Sequence, residues 1–417
     1  MRYDVRMIHA SRRAAVALAL AASLTVVLAT AAAPETEWKL ALQSLASPAG
    51  PESSAPKLTS NAGHTILSWM ERAGSQASLK FSELGSGGWS PARTVVSGTD
   101  LVVNAADVPS VLALTDGTLA GEWLQANGPD PEAYNLRVAW SKDAGATWSK
   151  AASPHHDRTV TQHGFASLFQ APGAGLGLVW LDGRATDPDL PNRTDNMSLR
   201  GTIYGTDGTQ RQETVIDARV CECCPTSVAV TGEGPIVAFR NRSAQEIRDI
   251  YTSRLVAGRW SMPVAVHHDN WKIDACPVNG PAISAVESAV VVVWFTAKNE
   301  EGKAFAAFSS DGGRRFGNAV RVDDLASTGH VAAAILADGS AAVSWIEYAN
   351  DRSQWKVRRV QTTGERSTAI TIAGAAEGRP AGNPQMARAS EGLVFAWTET
   401  SAGASRVKTA HAAAPTK

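Results

Sequence analysis

The four cysteines of this 417-residue chain fall in two short segments. Cys221, Cys223 and Cys224 lie in CECCPTS, and Cys276 lies in DACPVNG. Thiolates bind soft cations and exchange with disulfides, so such a cluster points to metal binding, redox chemistry or cross-linking. Two histidines share their frame once the chain is aligned on its repeats: His163 in QHGF and His330 in TGHVA. Thiolate with imidazole is a ligand set for copper, as Cu(I), or zinc, and the soft sulfurs favour copper. The competing expectation is a pair of disulfides, the simplest use of four cysteines outside the cytoplasm. Cys223 and Cys224 are adjacent and would face opposite ways on a strand, so both do not easily reach one partner. One disulfide plus a thiol pair is the third arrangement.

The elements that position these residues repeat. Seven apolar runs end in an aromatic: Trp69, Trp123, Trp180, Phe239, Trp294, Trp345 and Trp397. They lie about 50–60 residues apart, and a period of that size with about four strands per unit is the signature of a β-propeller. The expected fold is therefore all-β, a seven-bladed propeller of four-stranded antiparallel blades; six blades would follow if the first unit were irregular. One blade cannot cover both faces of its own sheet, so blades must stack around an axis. The last unit supplies about three strands, and the segment Trp38–Ser44 is expected to close the ring as its outer strand. In this frame Cys221 and Cys276 begin the innermost strands of blades four and five. His163 and His330 do so in blades three and six, with Asp107 and Asn383 equivalent in blades two and seven. Such entrances ring one mouth of the axial channel, where propellers commonly take ligands.

Two turns after third strands match S-x-D-x-G-x-x-[WF]: Ser141 to Trp148 and Ser309 to Phe316. The glycine allows a positive φ, the aspartate bonds its own turn, and the aromatic plugs between strands. This resembles the Asp-box, or BNR, repeat of the sialidase-like propellers, over essentially all of residues 34–417. The resemblance implies a structural role for those turns. It also implies, for the hydrolases of that family, three arginines on a substrate carboxylate, a Tyr–Glu nucleophile pair and an acid/base Asp. The Phe/Tyr-Arg-Ile-Pro segment that carries their first arginine has no counterpart here. Arg240, Arg242, Glu246, Arg248 and Tyr251 have the right chemical types for such a site, with ion pairing along a blade edge as the plainer alternative.

Residues 1–33 read as a secretory signal: Arg2, Arg6, Arg12 and Arg13, then an apolar run, then Ala31, Ala32 and Ala33. Residues 34–417 then form one propeller domain, periplasmic or secreted. A formal net charge of −1 gives no basic field for nucleic acid, and no later run is long enough to span a membrane. The function these features support is a non-hydrolytic binding protein, with a Cys/His axial site for a soft metal or small ligand and another exported protein as a further partner. The alternative is an exo-sialidase-type glycoside hydrolase acting on carboxylated sugars.

Overall fold

The computed structural model describes residues 37–375, 382–401 and 403–413. The signal expected over residues 1–33 lies outside the described residues. Each repeat unit is one antiparallel sheet, and seven sheets form a seven-bladed propeller. Blade three shows the pattern: His163–Gln170 innermost, then Leu176–Asp182, Met197–Tyr204 and Thr214–Val220. The other innermost strands are Ser53–Asn61, Ser110–Ala113, Ser227–Thr231, Ala282–Val286, Ala326–Ile335 and Gln385–Ala389. Blade two is the irregular one. It has three strands, and a short bridge between Val138 and Ala152 takes the fourth position.

The repeated aromatics all fall on second strands, which are covered on both sides. In blade three LGLVWLD is buried at every position, as befits a strand with a blade on each face. Hydrophobic layers consequently lie between blades: Val291, Val293 and Ala306 of blade five pack with Val343, Trp345 and Val360 of blade six. A buried indole N–H needs an acceptor. Three times the chain supplies one two residues later: Trp69 donates to Glu71, Trp180 to Asp182 and Trp345 to Glu347. Each carboxylate is held in turn by a cation, Lys80, Arg184 and Lys356 respectively.

The two matched turns bond as their residue types require. Gly145 and Gly313 have φ of +87° and +81°, and each donates its N–H to the hydroxyl of Ser141 or Ser309. Asp143 and Asp311 accept from the backbone N–H groups of Thr147 and Arg315. Trp148 stands edge-on to Phe81 of blade one, so this turn seals a blade junction.

Closure follows the expectation, with a shorter strand. Leu42–Leu45 pairs antiparallel with Ala404–Ala413, Leu42 opposite Ala412, to complete blade seven. Trp38 precedes that strand and is buried with Trp355 and Phe395 between blades six and seven. Truncating an aromatic there loses transfer energy and leaves a cavity. Trp38→Ala should therefore lower unfolding free energy by about 3–5 kcal/mol; denaturant titration checks this, and an unchanged midpoint would show that the closing segment contributes nothing.

Candidate functional site

The cysteines meet where two blade crossovers touch. Cys221 to Cys224 follow the outer strand of blade three, and Cys276 lies in the crossover from blade four to blade five. They thus sit on the crossovers before the innermost strands rather than at those strands' first residues, because Ser227–Thr231 and Ala282–Val286 start several residues later. Backbone contact fixes the place: the Cys221 N–H donates to the carbonyl of Arg240, at 3.0 Å. The crossovers abut so closely that a Cβ on Gly280 would come within 2.0 Å of the Pro225 oxygen.

Cys223 and Cys276 form a disulfide with Cα atoms 6.0 Å apart, while Cys221 and Cys224 are free and buried. The mixed arrangement is therefore the one the chain adopts. Cys221 Sγ lies 3.2 Å from Cys224 Sγ and 3.9 Å from Cys223 Sγ. Arg248 Nη1 donates to Cys221 Sγ at 3.3 Å. The Cys224 thiol and the nearby guanidiniums of Arg240 and Arg248 pull Cys221 down to about 6. Burial pushes Cys224 up, and a thiolate beside it opposes loss of a second proton. At neutral pH the pair therefore holds one thiolate and one thiol. Exposure grades outward: Cys221 and Cys224 are buried, Cys223 is half-buried and Cys276 is exposed.

The arginines are engaged by the protein itself. Arg240 is buried, donates to the carbonyls of Asn279, Arg248 and Phe295, and lies over the Trp271 ring. Arg242 pairs with Glu246 and Asp195, and Arg248 with Glu222 and Glu246. Those hydrogen bonds, Arg242 first, hold Glu246 at about 2. Tyr251 is half-buried in the third strand of blade four. Beside this network opens a cleft of about 400 Å³, lined by Asp130, Glu132, Asp195, Glu222 and Arg242.

Neither predicted histidine reaches the cysteines. His163 does begin its innermost strand, but its ring faces the preceding crossover, stacked 3.8 Å from His155. Its Nε2 lies 3.2 Å from Asp157 and its Nδ1 donates to the Thr161 carbonyl at 3.2 Å. His330 is in the innermost strand of blade six, and its Nδ1 meets Asn383 at 2.9 Å, beside the axial channel. The expected six-residue ligand set thus divides among three places, because the cysteines lie on crossovers while His163 and His330 lie in the innermost strands of blades three and six, each with partners of its own.

Near the channel the sequence reading had Asp107 but not its company. Lys57 lines the channel, Asp107 accepts from the Tyr134 hydroxyl at 2.9 Å, and Glu122 accepts from Ser110. Burial raises Asp107 to about 7 and Glu122 to about 8, and Asp107 adds to the rise at Glu122. A lone Glu in LAGEWL carried no signal of this, since the neighbouring acid comes from the crossover before the innermost strand Ser110–Ala113.

No family model and no curated protein matches this chain. Solved structures do. The endosialidase of phage phi92 aligns over 91% of this chain and 70% of its own, at 8% identity and a TM-score of 0.51. The polysaccharide lyase Uly1 aligns over 86% and 90%, at 11% identity and a TM-score of 0.53. NanB sialidase from Streptococcus pneumoniae aligns over 86% and 85%, at 9% identity and a TM-score of 0.46. The fold is that of the sialidase-like propellers, and at these identities the likeness concerns fold alone.

Two measurements follow from the charges. The ultraviolet thiolate signal should titrate with a midpoint near 6 and move upward in Arg248→Gln; a midpoint in the ordinary thiol range would refute the thiolate. Glu122 is protonated in the fold well above the pH at which it ionises when unfolded, so its contribution to stability is present at low pH. That contribution declines as pH rises from about 4.5 through about 8. Glu122→Gln should gain stability relative to wild type across that window, and parallel melting profiles would contradict the assignment.

Proposed function

We propose that this chain is an exported, non-hydrolytic binding propeller, and that Cys221 and Cys224 hold a soft monovalent ion of the Cu(I) type. The observation that carries the reading is the pair of buried thiols 3.2 Å apart. Soft sulfur donors select Cu(I). A small opening of the pair admits an ion, since metal–sulfur bonds of about 2.3 Å span at most about 4.6 Å between two sulfurs. The complex of two thiolates with a monovalent cation is an anion, and Arg248 and Arg240 supply the countercharge. Zinc fits less well: it prefers four ligands, and the histidines that would complete the set lie elsewhere. The disulfide supports an oxidising compartment. A sialidase reading would need Arg240, Arg242 and Arg248 to face a substrate carboxylate; their engagement with carbonyls and carboxylates of the protein supports the non-hydrolytic reading.

Anaerobic titration of the disulfide-intact, full-length protein with Cu(I) against a competing chelator tests this. One ion per chain is expected, lost in Cys221→Ser and in Cys224→Ser and kept in His163→Ala and His330→Ala. Binding that survives both serine variants would place the ion elsewhere and sink the proposal.

A further inference from the structure

We infer that the cysteine centre also carries out thiol–disulfide exchange, passing one disulfide between the surface pair Cys223–Cys276 and the buried pair Cys221–Cys224. The inference stands on sulfur positions and concerns the metal-free centre, since a bound ion would occupy both buried sulfurs. Four sulfurs form an unbroken path: Cys224 is 3.2 Å from Cys221, Cys221 is 3.9 Å from Cys223, and Cys223 is bonded to Cys276. The path also crosses from interior to solvent. Cys221 and Cys224 are only 1% and 2% exposed, so no dissolved thiol or disulfide reaches them directly, whereas Cys276 is open to solvent. Cys223 belongs to the outer bond and touches the inner thiol, which makes it the connecting atom.

The chemistry balances without an external oxidant or reductant. Cys221 thiolate attacks Cys223 Sγ; an S–S bond forms between them, and the bond to Cys276 breaks with its electron pair going to Cys276. Departure is favourable at that end, because the leaving thiolate emerges in water. The proton of Cys224 passes through solvent to Cys276. Cys224 thiolate then attacks Cys221 Sγ, and Cys223 leaves as the thiolate. One disulfide, one thiol and one thiolate are present before and after. Arg248, 3.3 Å from Cys221 Sγ, is placed to favour the attacking anion. The class of co-reactant this centre suits is a small thiol, or a cysteine on a partner's surface, meeting Cys276.

The relay can be read in metal-free, full-length protein by acid quenching, alkylation and tryptic mapping. Cys221, Cys223 and Cys224 share the peptide between Arg219 and Arg240, whereas Cys276 lies between Lys272 and Lys298, so released Cys276 is scored separately. Cys224→Ser removes the second attack and should accumulate the Cys221–Cys223 bond with Cys276 alkylated. Cys276 labelling in that variant and in wild type should exceed that in Cys221→Ser by at least about tenfold. Equal protection of Cys276 in all three proteins overturns the relay. Should a variant fail to fold, wild type decides alone: Cys276 found only in its bond to Cys223 overturns it as well. Because no metal is present, neither outcome bears on Cu(I) binding.

Discussion

The backbone pairing of Leu42–Leu45 with Ala404–Ala413 is the contact on which the rest of the molecule depends. Each second strand is apolar on both faces, which is tolerable only with a blade on either side. A ring satisfies that demand for every blade at once; an open arc would leave two apolar faces in water. Closure also fixes the angle at every junction. Seven interblade layers, each built from residues of two neighbouring sheets, leave little room for one blade to shift alone.

That stiffness is what makes a site on loops dependable. The cysteine centre lies in two crossovers, ordinarily the adaptable part of a fold. Here both are clamped by Arg240, whose guanidinium ties the end of a blade-four strand to carbonyls on both sides of the junction. A buried cation usually needs an anion. In this case backbone carbonyls serve instead, and the positive charge stays available to act on the sulfur nearby. The same residue type thus does structural and electrostatic service, leaving the surrounding carboxylates to Arg242 and Arg248.

Much of this was legible in the residue order. The seven aromatics placed the second strands, and counting back from Phe239 and Trp294 put Cys221 and Cys276 at equivalent places in adjacent blades, although it is Cys223, two residues on, that bonds to Cys276. The count failed for His163 and His330 because it records position along a unit and not the partners a ring finds: His155 and Asp157 for His163, Asn383 for His330. The role of Arg240 was hidden for another reason: its partners are the carbonyls of Asn279, Arg248 and Phe295, and a carbonyl has no letter of its own. The short innermost strands Ser227–Thr231 and Ala282–Val286 likewise begin later than the periodicity implies, since Pro225, Pro277 and Pro281 in the crossovers before them lack the N–H that a ladder needs.

The closing strand has a consequence for the order of events during synthesis. Residue 42 is made before every blade that separates it from its partner, residue 412. Contacts so distant in sequence form slowly, because a very long loop must be ordered before they repay it. Until the final strand has left the ribosome, the first blade has an unpaired neighbour and the nascent chain remains an open arc. Translation time, rather than any single strand's propensity, therefore sets the earliest moment at which the molecule can become a ring.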